Sequence, residues 1–213
     1  MSDIGLVILA AGASTRMGTP KQLLPYRGRT LIKYVVEQAI ASVCHPIIVV
    51  LGANAESIQP KLTSFNIRTI KNCSFAEGMS SSIRTGIEVL AAENPYLKAV
   101  VLMVCDQPFA STQLINQLVE NYRQANSLIV ASEYNSVLGV PCLFDRTLFS
   151  HLMALSGDAG ARKLIKRFAQ DTIRVPAPEV AFDLDTPADY EQLHNTEKPY
   201  FCVLSNFNSS RTL

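Results

Sequence analysis

The sequence has no tryptophan, only three histidines, and no excess of charge of either sign. Its five cysteines, Cys44, Cys73, Cys105, Cys142 and Cys202, are scattered, with no C-x-x-C pair among them. That spacing excludes the usual cysteine-based zinc sites, and an odd count argues against a disulfide framework. Free cysteines of this kind mostly serve as small buried hydrophobes. Nineteen Lys and Arg against eighteen Asp and Glu leave a net charge of +1. A nucleic-acid binder needs a broad basic surface, so no nucleic-acid partner is expected. Long hydrophobic runs are also missing. The longest, Ile4–Ala11, falls far short of the roughly 20 residues that cross a bilayer. No basic segment follows Met1, so no secretory leader is expected. The reading is a cytoplasmic protein with no membrane partner.

What the chain does have is apolar material, 48% of 213 residues. That suffices for one sizeable core, and a single domain is expected over residues 1–195. The remainder, 196–213, is a polar tail containing Asn206-Phe207-Asn208-Ser209-Ser210. Within the domain, short β-branched runs alternate with stretches of helical period. Strands are predicted at Ile4–Ala10, Ile47–Leu51, Ile67–Ile70, Ala99–Cys105, Leu128–Ala131, Val140–Phe144 and Thr172–Val175. Ala99–Cys105 is the most apolar and should be central. Between them, Thr30 is placed to cap a helix carrying Leu31, Ile32, Val35, Val36 and Ala39 on one face. A short helix should follow Asn54, and Ser80 or Ser81 should cap another bearing Ile83, Ile87 and Leu90. Ser111 opens a fourth, and helical segments are expected at Asp145–Leu155 and Asp158–Phe168. Thr186-Pro187-Ala188-Asp189 is a strong helix start, with proline at the first helical position and aspartate returning to the cap. Such alternation builds an α/β fold, a mostly parallel sheet with helices on both faces.

Ligands of such sheets bind beyond the carboxyl ends of the strands. The first polar segment there is Ala10–Lys21. Its small residues let the backbone approach a ligand and offer N–H groups to anionic oxygens. Arg16 and Lys21 add two cations. The glycine spacing fits neither the dinucleotide fingerprint nor the Walker A loop. The second segment is Asp106-Gln107-Pro108, directly after the most apolar strand. The third is Asp183-Leu184-Asp185-Thr186-Pro187. Asp106 and Asp185 together suggest a divalent-metal pair, since Mg²⁺ commonly takes one or two carboxylates plus substrate phosphates. The stretch Asn72–Ser82, with Gly78, Ser80 and Ser81, could read a base or ribose. Gly157–Arg162 opens another polar turn, in which Arg162 could meet an anionic acceptor. His45, His151 and His194 lie outside these segments, and each is expected to be structural. None is required as a base. A phosphate monoester, largely dianionic at neutral pH, can attack phosphorus without first losing a proton.

The motif Leu9-Ala10-Ala11-Gly12-x-Ser14-x-Arg16-Met17-Gly18-x-x-Lys21-x-Leu23 resembles the signature of the MobA-like NTP transferases. Within that superfamily the chain is most similar to the molybdenum cofactor cytidylyltransferases. The supporting segments are Glu77–Arg84, Asp106-Gln107-Pro108, Gly139-Val140-Pro141, Gly157–Arg162 and Asp183–Pro187. The resemblance implies a Rossmann-like fold of the glycosyltransferase-A type. It implies that Leu9, Ala10, Ala11 and Gly12 hold the base and ribose, joined by Gly78, Ser80 and Ser81. Arg16 and Lys21 would hold the triphosphate, and Asp106 and Asp185 would hold Mg²⁺; these four form the expected catalytic set. Gly139, Pro141, Asp158 and Arg162 would face the acceptor. Guanylyl-transferring relatives carry Leu-Ala-Gly-Gly where this chain has Leu-Ala-Ala-Gly, so Ala11 favours CTP over GTP. The implied reaction moves CMP from CTP to a phosphorylated, molybdopterin-type acceptor and releases pyrophosphate, with a client molybdoenzyme as a further partner. The stretch Glu133–Leu138 departs from the family pattern. Two other readings remain. One is a transferase or oxidoreductase on the same scaffold acting on another small molecule. The other is a non-catalytic cofactor carrier.

Overall fold

A computed structural model describes residues 3–125 and 127–196. The polar tail beyond Thr196, with Cys202, lies outside the described residues. Thr196 itself ends a helix, so regular structure runs one residue past the boundary expected from composition. In chain order the elements are β1 (Ile4–Ala10), β2 (Pro25–Tyr26), β3 (Arg29–Thr30), α1 (Leu31–Ile40), β4 (Ile47–Leu51), α2 (Ala55–Ile58) and β5 (Arg68–Lys71). There follow α3 (Met79–Glu93), β6 (Ala99–Val104), α4 (Thr112–Ala125), β7 (Ile129–Tyr134) and β8 (Val137–Asp145). The chain continues through α5 (Phe149–Met153), α6 (Arg162–Arg167), β9 (Thr172–Pro176) and α7 (Pro187–Thr196).

Seven strands form one sheet in the order β5-β4-β1-β6-β8-β7-β9, and β2 and β3 make a small separate ribbon. β6 is central, as its apolarity requires. Only β8 runs against the others: it pairs antiparallel with β6 and β7, while the remaining pairings are parallel. All seven residues of β1 are buried. Its side chains alternate between two cores, because successive residues of a strand point to opposite faces. Leu6, Ile8 and Ala10 join one core with Val35 and Val36 of α1 and Leu114 and Leu118 of α4. Val7 and Leu9 join the other with Ile83 and Ile87 of α3 and Leu164 of α6. Covered faces explain why these strands read as unbroken apolar runs rather than alternating ones.

The structure shifts several predicted boundaries. β5 starts one residue later than Ile67. β8 is nine residues long, extending the expected Val140–Phe144 at its amino end. It closes a hairpin with β7 through Asn135 and Ser136, whose φ values of 48° and 59° make the left-handed two-residue turn that suits strand twist. The register slips between Ala131 and Ser132, leaving Val140 and Pro141 bulged. Proline has no N–H for a ladder, and Ser132 Oγ instead donates to Pro141 O at 2.7 Å. Ser80 and Ser81 do not cap α3. Gly78 holds the cap position, with φ 99°, and both serines lie inside the first turn. Thr30 precedes α1, but its hydroxyl makes no capping bond. The expected Asp158–Phe168 helix is broken: Gly160, at φ 53°, separates a single tight turn from α6. Two expected starts hold in full. Ser111 Oγ accepts from Leu114 N, and Asp189 Oδ2 accepts from the N–H groups of Asp185 and Thr186.

Candidate active site

Parallel pairing brings the carboxyl ends of β1, β4, β5 and β6 to one edge of the sheet, where three polar segments converge. The first leaves β1 at Ala10. Gln22, 1% exposed, donates through Nε2 to Ala10 O (3.1 Å) and Gly12 O (3.0 Å). Ala53 N donates to the intervening Ala11 O at 3.3 Å. Ser14 Oγ accepts from Lys21 N and donates to Gln22 Oε1. Gly52 allows this approach: a Cβ there would stand 2.3 Å from Ala11 O. The second segment leaves β6 at Cys105, and the third docks beside it through Leu184 N to Asp106 O at 2.8 Å.

These contacts put Lys21 between two carboxylates. Its Nζ lies 2.7 Å from Asp106 Oδ2 and 2.9 Å from Asp185 Oδ1. Arg16 reaches Asp185 Oδ2 at 2.8 Å. The Lys21 side chain is 12% exposed and that of Arg16 is 71% exposed, so one cation is built in and the other sits at the rim. Burial by itself would lower the pKa of Lys21. The charges and hydrogen bonds of Asp106 and Asp185 outweigh it and hold the ammonium above its ordinary value. The Lys21 hydrogen bond likewise holds Asp185 below the usual carboxylate range, against burial and with help from Arg16. Asp183 is pushed up, first by burial and then by the Asp106 charge, with the Gln107 hydrogen bond opposing. Asp106 Oδ1 is buried with no hydrogen-bond partner, which fits a carboxylate that also serves a cation. Among the described residues no three His, Cys, Asp or Glu side chains form a metal cage. A metal held by Asp106 and Asp185 would therefore draw further ligands from substrate, the usual Mg²⁺ arrangement.

A two-lobed cleft opens at this edge. One lobe, about 560 Å³, is lined by Leu9, Ala10, Ala11, Gly12, Lys21, Gly78 and Asp106. The other, about 370 Å³, is lined by Arg16, Asp106, Asp158, Arg162 and Asp185. Asp106, Asp158, Met79 and Val104 belong to both, so Asp106 stands at the junction. Asp158 packs against Gly78, where a Cβ would meet its Oδ1 at 2.2 Å. A larger hollow, about 890 Å³, lies at the opposite end of the sheet near Pro46 and Tyr96. It carries none of the three polar segments, and its ion pair Arg68–Glu93 is exposed.

Four expected contact residues fall elsewhere. Ser80 is fully buried and lines neither lobe. Ser81 Oγ is spent on Gly78 O and on the Asn72 amide. Of this serine run, Ser82 reaches the first lobe, because α3 begins before the serines rather than at them. Gly139 and Pro141 also line neither lobe, whereas Val140, thrown out by the bulge, lines the second. A side chain at Gly139 would collide with the Tyr134 hydroxyl, which accepts from Arg162 at 3.3 Å. Gly139 thus leaves room for Tyr134, which holds Arg162 at the second lobe. Read from the sequence alone, Gln22 and Gly52 carried no role, and Met79, Gln107 and Asp183 lay in the polar segments without a role of their own. The available signals were the glycine after an all-apolar strand and the place of Gln22 beside Lys21.

The MobA-like NTP transferase domain matches residues 6–173. The nicotine blue oxidoreductase of Paenarthrobacter nicotinovorans is 34% identical, over 84% of this chain and 91% of that protein. The purine catabolism protein PucB of Bacillus subtilis is 27% identical, over 88% and 94%. The molybdenum cofactor cytidylyltransferase of Escherichia coli is 23% identical, over 89% and 95%. Among solved structures, the Rv0371c homologue of Mycobacterium sp. strain JC1 superposes with a TM-score of 0.78 at 32% identity, covering 92% of this chain and 96% of that one. Rv0371c of Mycobacterium tuberculosis, in complex with manganese, superposes with a TM-score of 0.72 at 29% identity, over 91% and 98%. With its Arg16 and Lys21 loop, its aspartates after β6 and before α7, and this match over most of its length, the chain belongs to the MobA-like NTP transferase family.

Proposed function

We propose that the protein transfers CMP from CTP to a phosphorylated acceptor of the molybdopterin type, with Mg²⁺ held by Asp106 and Asp185 and pyrophosphate released. The observation that carries this reading is the Asp106–Lys21–Asp185 arrangement at the junction of two lobes. One lobe suits the nucleotide and the other the acceptor, so the α-phosphorus and the attacking oxygen meet at Asp106. An acceptor phosphate oxygen forms the new bond to the α-phosphorus. The bond to the bridging oxygen breaks, and pyrophosphate leaves with that electron pair. A bound divalent ion supplies charge neutralisation on the phosphates. The protein's own residues do the positioning. Lys21 presents a fixed ammonium to the triphosphate. Arg162, steadied by Tyr134, presents a guanidinium group to the acceptor phosphate from the second lobe; Arg16, expected on the triphosphate, lines that lobe too and serves phosphates from its rim.

CTP is the proposed donor because Ala11, 8% exposed, lines the nucleotide lobe where guanylyl-transferring relatives are expected to carry glycine. The Escherichia coli relative's name and the manganese complex of the mycobacterial structure support cytidylyl transfer and a divalent metal. A second reading, redox chemistry on a small molecule, has the support of the 34% identical relative named as an oxidoreductase. The two separate in a thermal-shift screen of the four NTPs with and without Mg²⁺. Binding to the native state raises Tm, by about 2.7 kcal/mol of stability at a hundredfold excess over Kd. The largest shift is expected with CTP plus Mg²⁺. No shift with any NTP would remove the transferase reading, and a larger one with GTP would remove CTP.

A further inference from the structure

We infer that Gln22 is a positioning residue for the triphosphate, holding the Ala10–Gly12 loop so that its carbonyls face the protein and its N–H groups face the cleft. The inference rests on the nucleotide reading of the first lobe. Three consecutive carbonyls, those of Ala10, Ala11 and Gly12, are all engaged by protein donors, and Gln22 supplies two of those bonds from one amide. The N–H groups of Gly12 and Ala13 donate to no other backbone oxygen among the described residues, and both residues line the lobe. A carbonyl rotated into the cleft would present a partial negative charge to phosphate oxygens. An N–H group presents the opposite sign. Ala53 N holds the Ala11 carbonyl from the other side, while Gln22 is the side-chain donor to the carbonyls before and after it. Gly12 has no neighbour within 4 Å of where a Cβ would stand, and Ser14 already adopts φ 56°. Gln22 therefore decides which way these peptides face. Its own geometry is set in turn, because its Oε1 accepts from Ser14 Oγ, whose oxygen accepts from Lys21 N. One buried amide thus ties the anion-facing loop to the residue that carries the catalytic ammonium.

Two substitutions test this. Gln22→Met keeps length and removes both donors. Gln22→Glu keeps shape and polarity but sets a carboxylate against two carbonyls. A loop that grips the triphosphate alike in ground and transition states affects binding alone, so its distortion should raise KM and leave kcat nearly unchanged. The expected result is a KM for the NTP raised about tenfold in Gln22→Met, the worth of one or two lost hydrogen bonds, and further in Gln22→Glu. Binding of inorganic triphosphate, measured by calorimetry, should weaken in parallel, since the loop grips phosphates rather than the base. If wild-type protein binds neither CTP, GTP nor inorganic triphosphate, the nucleotide reading itself fails. If the wild type binds and a folded Gln22→Met or Gln22→Glu protein binds equally well, only the role of Gln22 fails. A fall in kcat with KM unchanged, or loss of folding in both variants, would also contradict it.

Discussion

At Lys21 one ammonium group has two carboxylates within hydrogen-bond distance and little solvent around it. Exposed ion pairs contribute little, whereas removing one member of a shielded set leaves the others uncompensated. The same shielding makes a fixed charge effective against the charge that builds on a leaving pyrophosphate. Lys21→Ala should therefore lower kcat about a hundredfold, the scale of losing one preorganised donor, while KM for CTP changes less. Lys21→Arg should not fully restore kcat, because a planar guanidinium cannot replace a compact ammonium held by two carboxylates. Steady-state kinetics with CTP varied at saturating acceptor would decide. A rise in KM with kcat unchanged would make Lys21 a plain binding contact. Arg16, Lys21 and Asp106 stood out in the sequence in polar segments after apolar strands, and Asp185 in the segment that opens α7; the structure brings the four side chains together. Gln22 did not stand out. A buried glutamine bonding to carbonyls ten and twelve residues back leaves no periodic trace.

The strands were legible as elements because a sheet covered on both faces needs unbroken apolar runs. The places where they connect were less so. The β7–β8 hairpin turns on Asn135-Ser136, a weaker signal than Asn-Gly, and its bulge is visible only in the pairing register. The serine run at the start of α3 resembles a cap, but the left-handed glycine before it takes that position. Contacts between elements were illegible for the same reason as Gln22. The loop after β4 meets the loop after β1 forty residues away in sequence, and Gly52 is the point of contact. Gly52→Ala would force a methyl group against Ala11 O and the Ala11 side chain. Overpacking of this kind costs about 1–3 kcal/mol. The expected outcome is a lowered Tm together with a raised KM for CTP, read by thermal denaturation and initial rates. A stable variant with wild-type KM would show that the Ala11 loop is not held from this side.

Among the described residues, the proposed chemistry lies at the carboxyl edge of the sheet, while stability is distributed through both cores and their outer ties. One such tie joins α4 to the end of β8. Tyr122 donates to Asp145 Oδ2 at 2.6 Å, and Thr147 donates twice to Asp145 Oδ1. Burial would raise the pKa of Asp145, but these bonds outweigh it and hold it below the ordinary value. A carboxylate depressed in the folded state contributes stability above its unfolded pKa, about 4, and loses it as pH falls through the folded value. Tyr122→Phe should cost about 1 kcal/mol at neutral pH, and the gap from wild type should narrow as urea midpoints are followed below pH 4. A constant gap would show that the bond does not depend on the Asp145 charge. No helix of the described residues is long and apolar enough to cross a membrane. Asp106 and Asp185, with Lys21 between them, are proposed to form a metal-dependent nucleotidyl-transfer centre that takes CTP. Pyrophosphate release tests it most directly, measured with each of the four NTPs, a molybdopterin acceptor and Mg²⁺, for wild type, Asp106→Ala and Asp185→Ala. Release should be fastest with CTP, need the metal, and disappear in both variants while their circular dichroism stays native. Release fastest with GTP, or near-wild-type rates in either folded variant, would contradict that proposal.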